Sequence, residues 1–237
     1  MRALRILGWT MVWTGALIIA FLAYQLFGTN LITARAQSTA EVALEERVAE
    51  LADELGEPIP FEDDPTFSAP DEGPIVTVPS LYPEPAPEVG EPVGRITIAR
   101  IGVDHVLMEG VDRGTLKSGP GHMPWTPLPG QPGNAVISGH RTTYGAPFFD
   151  LDQVEPGDLI EVETLRGVHV YAVRESLIVT PIDVWVTESR PGAWLTLTTC
   201  NPKFSARQRL VVVAELVEGP NLGYVKAQQA VQSLPAA

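Results

Sequence analysis

The sequence predicts an all-β domain, a sandwich or a barrel, which follows an apolar N-terminal segment and an acidic stretch. Apolar and polar residues alternate with a period of two in several short runs between residues 93 and 218. Gly-Pro and Pro-Gly pairs separate many of these runs, a combination typical of short β-strands joined by turns. The region has roughly 125 residues, enough for one hydrophobic core. The alternating runs cover residues 95–98, 103–108, 159–163, 168–179, 194–199 and 208–217.

The N-terminal segment, residues 1–32, contains an uncharged and mostly apolar run at positions 6–27. A helix of that length rises roughly 33 Å, which is enough to cross a bilayer. Arg2 and Arg5 precede the run, and the first acidic residue after it is Glu41. The positive-inside rule therefore predicts a single-pass membrane protein with a cytoplasmic N-terminus. A cleaved signal peptide is the alternative, but the run is longer than the roughly 7 to 15 residues of a signal core.

Residues 33–92 are expected to form a stalk. The chain has a net charge of −13, and between positions 41 and 92 there are 15 acidic residues and one basic residue. The rest of the chain is therefore close to neutral, and it lacks the basic patch that a nucleic-acid partner would require. The charge run itself is typical of a solvated, self-repelling linker.

The stalk divides into a helix and an extended part. Apolar residues spaced 4, 3 and 4 apart predict a juxtamembrane helix that ends at Gly56. Residues 57–92 contain ten prolines among acidic residues, a composition that favours extended polyproline II and holds a domain away from the membrane. The helical spacing involves Leu44, Val48, Leu51 and Leu55.

Three side chains at predicted strand ends are candidates for chemistry. Cys200 is the only cysteine and stands where an alternating run meets Asn201-Pro202, so it is either a nucleophile or a small buried residue. His140 follows an apolar run that stops at a glycine, and two arginines, Arg207 and Arg209, enter the next predicted strand after the cysteine.

These residues lie in motifs that resemble the sortases, cysteine transpeptidases of Gram-positive cell surfaces. The run Thr196-Leu197-Thr198-Thr199-Cys200 matches the sortase signature Thr-Leu-Xaa-Thr-Cys. The stretches 139–148 and 200–209 are similar to the class E sortases of actinobacteria, and the resemblance covers roughly residues 93 to 218. It implies a sortase-type closed β-barrel with short helices, in which the three candidate side chains meet at one rim.

The resemblance also implies a role for each catalytic candidate. Cys200 would be the nucleophile, since a thiolate attacks a carbonyl carbon, and His140 the general acid and base. The class E pattern places the catalytic arginine nine positions after the cysteine, which selects Arg209 to stabilise the oxyanion. Arg207 and the weaker rival Arg141 remain alternatives.

Four further residues are candidates for substrate binding. Tyr144 follows His140 in its loop and would narrow the pocket, while Thr198 and Thr199 would orient the thiol or the substrate backbone. His122 lies in a Gly-Pro-rich turn before the His140 strand and would either touch substrate or shape the loop. The histidines and carboxylates have no zinc-site spacing, so we expect neither a metal nor another cofactor.

The expected function is cleavage of a sorting signal, of Leu-Ala-Xaa-Thr-Gly or Leu-Pro-Xaa-Thr-Gly type, between Thr and Gly through a cysteine thioester. The protein would then be transferred to an amine of the cell-wall precursor, lipid II. Expected partners are therefore secreted proteins that bear sorting signals, lipid II and the membrane. Two alternatives stay open: an L,D-transpeptidase-like wall enzyme, and a non-catalytic wall-binding module. Residues 219–237 are expected to be a C-terminal tail.

Overall fold

The computed structural model describes residues 2–51, 55 and 79–233. The N-terminal part is helical from Arg2 to Leu51: α1 is followed by one π-helical turn at Tyr24–Gly28 and then by α2. The remaining described elements are eight strands, a one-turn helix α3, a C-terminal helix α4 and three short 3₁₀ helices at Ala99–Ile101, Leu151–Gln153 and Val184–Thr187. Their bounds are α1 Arg2–Ala23, α2 Thr29–Leu51, β1 Pro92–Ile98, β2 Val103–Glu109, α3 Thr115–Ser118, β3 Gly121–His122, β4 Gly133–Ser138, β5 Leu159–Thr164, β6 Gly167–Val179, β7 Ala193–Asn201, β8 Gln208–Glu218 and α4 Leu222–Gln232.

The eight strands form a closed barrel in the order β1-β2-β3-β4-β7-β8-β6-β5. Most neighbours are antiparallel, but β2 and β3 are parallel, and so are β4 and β7. The predicted fold class is therefore confirmed. The alternating residues explain the closure, because one face of each strand fills the interior while the other faces outward. The longest predicted strand, β6, runs along both β5 and β8.

Side-chain parity separates the two faces of the three strands β4, β7 and β8. Leu195 and Leu197 of β7 belong to the main core together with Ala135 and Ile137 of β4, and with Leu210, Val212 and Ala214 of β8. Residues of the opposite parity therefore lie on the outer face of the barrel. Those at the ends of the strands are Ser138, Thr198, Cys200 and Arg209.

Helix α2 packs directly against the barrel, which corrects the expectation of a stalk at this point. Thr29, Thr33 and Ala40 are buried, and Ala40 contacts Val106 and Met108 of β2. An ion pair joins Arg95 of β1 to Glu41.

The predicted juxtamembrane helix is thus present at Thr29–Leu51, and its Leu44 packs against the cluster of Ala40, Val106 and Met108. Residues 79–91 also lie on the barrel, where Glu84 accepts a hydrogen bond from Thr164. The predicted end of the helix at Gly56 and most of the proline-rich stretch, residues 57–78, lie outside the described residues.

The C-terminal segment from residue 219 is part of the folded domain, not a free tail, as far as Ser233. Val225 of α4 belongs to the main core, and Leu222 packs against it. Before α4, the fully buried Asn221 donates hydrogen bonds to the carbonyl groups of Tyr82 and Gly130 and accepts one from the Tyr82 backbone N–H. The last four residues, 234–237, lie outside the described part.

Candidate active site

Parallel pairing of β4 with β7 brings His140 beside Cys200. Ser138 and Thr198 form the last register pair of these two strands. Continuing that register by two residues places His140 level with Cys200. Two hydrogen bonds hold these strand ends together: the Gly139 N–H donates to the Thr198 carbonyl at 3.1 Å, and the Thr199 hydroxyl donates to the Gly139 carbonyl at 2.8 Å.

Antiparallel pairing of β7 with β8 places Arg209 directly opposite Cys200. Residues opposed in this way have Cα atoms about 4.5 to 5.5 Å apart and side chains on the same face. The Arg209 guanidinium is half-buried and donates through Nη1 to the carbonyls of Ala206 and Gln208, at 3.1 and 3.0 Å. Arg207 lies before the start of β8 and is exposed. The strand register therefore favours Arg209 over Arg207.

His140 is half-buried and contacts the ring of Tyr144, with the ring centroids 5.1 Å apart. Burial is the main cause that lowers the pKa of His140, and the positive charge of Lys117 lowers it further. Both effects disfavour the imidazolium form. The resting side chain is therefore a neutral imidazole near neutral pH, able to accept a proton. Lys117 belongs to no motif in the sequence, so its proximity to His140 was not predicted.

The loop after His140 makes a left-handed turn of three consecutive residues. Tyr144, Gly145 and Ala146 have φ angles of 52°, 74° and 45°. Such angles are strained for residues with a Cβ, at roughly 1 to 3 kcal/mol each, and persist where the surroundings hold them in place. Tyr144 owes its position beside His140 to this turn. The Lys117 ammonium also lies over the Tyr144 ring, 5.7 Å from its centroid.

Arg141 has a structural role. Its side chain is 3% exposed, and Nη1 donates to the backbone carbonyl of Cys200 at 3.2 Å and to Asn201 Oδ1 at 2.7 Å. Nη2 forms an ion pair with Asp152 at 2.9 Å. These partners engage the guanidinium on the backbone side of the cysteine, so it does not compete with Arg209 for an oxyanion on the outer face.

His122 is buried within the barrel wall, which favours the loop role over substrate contact. It is 1% exposed, and its Nδ1 lies 2.7 Å from a carboxylate oxygen of Glu109, itself 3% exposed. Nε2 lies 2.9 Å from the carbonyl of Pro127 and 3.1 Å from the hydroxyl of Thr126. A carbonyl only accepts, so Nε2 carries a hydrogen that it donates to Pro127.

The two threonines before the cysteine differ in exposure. Thr199 is buried and holds Gly139, so it positions the His140 strand end rather than lining a surface. Thr198 is half-buried on the same face as Cys200, and its hydroxyl lies 2.8 Å from that of Ser138. Of the two, Thr198 is the one placed to meet a substrate.

Comparison with known proteins identifies the family of this barrel. A family model described as Sortase domain matches residues 96–217, just over half of the chain. Sortase SrtE1 of Streptomyces coelicolor is 30% identical over 226 residues, which cover 91% of this chain and 58% of the relative. The chain therefore spans less than two thirds of that relative's length.

Two solved structures are similar to the barrel. Sortase E of Streptomyces avermitilis is 33% identical, with a TM-score of 0.51, over 55% of this chain and 90% of that chain. A Clostridium perfringens sortase D5 transpeptidase is 22% identical, with a TM-score of 0.56, over 79% of this chain and 99% of that one, and it shows the fold alone. The chain belongs to the sortase family, and its predicted resemblance to class E sortases is confirmed. This family assignment leaves the L,D-transpeptidase alternative without support.

Proposed function

We propose that this protein is a membrane-anchored cysteine transpeptidase that cleaves a sorting signal and joins the cleaved protein to an amine. The observation that supports the proposal is the register of β4, β7 and β8, which pairs Cys200 with Arg209 and pairs the end of β4, two residues before His140, with Thr198. The half-buried cysteine is reachable from that face.

In the first half-reaction, Cys200 attacks the carbonyl carbon of the Thr-Gly bond as the thiolate. His140, neutral at rest, takes the thiol proton and then donates it to the departing glycine amine. The negative charge that forms on the carbonyl oxygen is stabilised by the Arg209 guanidinium. The products are a Cys200 thioester of the threonine and a peptide that begins with glycine.

In the second half-reaction, an amine attacks the thioester carbon and loses a proton to His140, while the sulfur leaves as a thiolate. The new bond is an amide between the threonine and the amine, and transfer of the proton from His140 to the sulfur returns the enzyme to its starting state. A lipid-linked peptidoglycan precursor is the proposed acceptor. Thr198 and Tyr144 lie next to Cys200 and His140, and we assign them the contacts to the signal.

The anchor in this proposal is α1. Among the described residues it is the one helix long and apolar enough to cross a membrane, and none of its residues is buried against the protein. Arg2 and Arg5 precede its apolar part, which supports a cytoplasmic N-terminus with the barrel on the opposite side.

The experiment is a ligation assay with the full chain in lipid nanodiscs. Peptides with Leu-Ala-Xaa-Thr-Gly and Leu-Pro-Xaa-Thr-Gly are incubated with an amine, and the products are identified by mass spectrometry. We expect a threonine-amine conjugate from at least one peptide, and none from Cys200→Ala. A conjugate formed equally by Cys200→Ala would refute the proposed mechanism.

A further inference from the structure

We propose that the juxtamembrane helix α2 is a positioning element of the active site, acting through Thr29 and Asn30 on the loop that follows His140. The structure brings an anchor helix and a catalytic loop into direct polar contact, although more than a hundred residues separate them in sequence. Two tests follow. The kinetic test measures ligation and therefore rests on the proposed transpeptidase function, whereas the docking test measures only whether α2 contacts the loop.

The first contact supports the left-handed turn. The N–H of Tyr144 donates to Thr29 Oγ1 at 3.3 Å, and the N–H of Gly145 donates to Asn30 Oδ1 at 3.0 Å. The Thr29 hydroxyl donates its own hydrogen to the Gln25 carbonyl at 2.7 Å, so its lone pairs remain to accept from the loop. A strained turn needs such fixed partners to persist.

The second contact supports α3, on the other side of His140. The Thr33 hydroxyl donates to the carbonyl of Lys117 at 2.8 Å, and Gln37 Nε2 donates to the carbonyl of Ser118 at 2.8 Å. Lys117 and Tyr144, the two side chains that shape the surroundings of His140, are therefore each held by a segment that α2 contacts.

Gln37 also explains why the helix docks at this place. Strand β3 has two residues and pairs only with the last two of β2, Met108 and Glu109, so β2 offers free backbone groups before that point. The Gln37 side-chain amide accepts from the N–H of Val106 at 2.7 Å and donates to its carbonyl at 3.0 Å. One side chain thus takes the place of a strand residue, which covers an exposed sheet edge.

The docking test uses a disulfide. A Cβ added at Gly145 would lie 3.5 Å from the Cβ of Thr33, within the distance of about 3.5 to 4.5 Å that a disulfide requires. Because Cys200 is the only cysteine, Cys200→Ala leaves a background without thiols. We expect Thr33→Cys with Gly145→Cys to crosslink within the full chain in nanodiscs, and the matched pair Thr39→Cys with Gly145→Cys not to. Failure of the first pair to crosslink would overturn the proposal.

The functional test removes one hydrogen-bond acceptor. Thr29→Val keeps the side-chain shape and loses the oxygen that holds Tyr144. We expect kcat in the ligation assay to fall at least about fivefold, since the turn that places Tyr144 beside His140 loses a fixed partner and misplacing a catalytic group by about 1 Å can cost 10²-fold. Thr29→Ser should restore kcat, whereas Thr39→Val, an exposed threonine on the same helix, should leave it unchanged. Equal kcat for Thr29→Val and the parent would overturn the proposal.

A further readout needs no substrate. The rate at which a small alkylating reagent modifies Cys200 reports the same surroundings, so it separates failure of the proposal from failure of the proposed function. If the parent forms no conjugate, an alkylation rate changed by Thr29→Val and restored by Thr29→Ser supports the positioning role. An alkylation rate that is equal in all three chains refutes it.

Discussion

Two Gly-His pairs lie on or directly after neighbouring strands of the barrel, and their histidines differ in exposure and in hydrogen-bond partners. Gly121-His122 is β3, and Gly139-His140 follows β4, which pairs with β3 in antiparallel register. His122 is enclosed, with both ring nitrogens bound by protein groups. His140 is half-buried, beside an aromatic ring and near a lysine. A histidine whose nitrogens are both engaged inside the wall cannot exchange protons with a substrate, whereas one at the outer face can.

The same distinction separates the arginines. Arg141 is enclosed and engaged by backbone, amide and carboxylate groups, while Arg209 stays half-exposed beside the cysteine. On this barrel, side chains that are buried and have all their polar atoms engaged by protein groups are therefore structural, and the partly exposed ones are the proposed catalytic groups. The predictions below test that rule on individual side chains.

The largest effect is expected at His140. His140→Ala should lower kcat/KM by roughly 10² to 10⁴-fold, the range for loss of a general acid and base, because His140 is the group assigned to the proton transfers. The midpoint of thermal unfolding should change little, since the ring lies on the outer face. Steady-state ligation kinetics and thermal unfolding measure the two. Retention of kcat/KM within a few-fold of the parent would place the proton transfer elsewhere.

At His122 the effect should be on stability. His122→Leu leaves the Glu109 carboxyl buried without its partner, which typically costs about 3 to 5 kcal/mol, while kcat of the folded fraction stays near that of the parent. Urea unfolding followed by tryptophan fluorescence measures the change. Adding Glu109→Leu should recover part of the loss, because the unpaired group is then removed. A folded His122→Leu protein of normal stability but without activity would contradict the structural role.

For the arginines, Arg209→Ala should lower kcat/KM by about 10² to 10³-fold, comparable to loss of an oxyanion-hole donor, and Arg209→Lys should recover little, because an ammonium does not reproduce the planar guanidinium. Arg207→Ala is the matched control, with a much smaller effect. The ligation assay measures all three variants. A larger loss from Arg207→Ala, with both chains folded, would transfer the role to Arg207.

The smallest effect concerns a third histidine. His169 is fully buried on β6, with Nε2 3.1 Å from the Thr164 hydroxyl and, among the described residues, no partner at Nδ1. Burial lowers the pKa of His169 to about 4, from an ordinary value of 6.5. At pH values between these two pKa values, the unfolded chain therefore binds a proton at this histidine and the folded chain does not.

The contribution of His169 to the free energy of unfolding is fully present above about pH 6.5. As the pH falls towards 4, the free energy of unfolding decreases by up to about 3 kcal/mol. Urea unfolding at pH 7 and at pH 4.5 measures the loss. His169→Gln, which does not titrate, should lose less over the same interval. An equal loss in both chains would show that other groups cause the acid sensitivity.

Sequence reasoning reached the barrel, and it placed the three candidate catalytic side chains at strand ends, for physical reasons. The period-two alternation indicates which face of each strand is inside. Few reactive side chains lie at predicted strand ends, so the thiol, the imidazole and the guanidinium could be singled out. His122 was left undecided because the partner that encloses it, Glu109, lies on another strand and nothing local marks it as buried.

The placement of α2 and of the C-terminal helix escaped prediction for a related reason. Charge composition describes residues 33–92 as a solvated stalk, but α2 packs on the barrel. Many of its contacts come from polar side chains such as Thr29, Thr33 and Gln37, and such contacts leave no hydrophobic pattern in the sequence. The gap beside the two-residue strand β3, which Gln37 fills, appears only once the strands are paired. Val225 likewise enters the core from a short helix with a weak apolar face.

The helix that runs from Arg2 to Leu51 has a consequence for how the enzyme meets its substrates. Thr29 lies six residues beyond the end of α1, about 9 Å along a helix, a distance comparable to the depth of the interfacial layer of one leaflet. With α1 in the bilayer, the catalytic loop is held at the height of the lipid headgroups. For the proposed lipid-linked acceptor, encounter would then be a search in two dimensions, in which attachment to the same surface raises the effective concentration of both partners. A dissolved amine of equal reactivity has no such advantage.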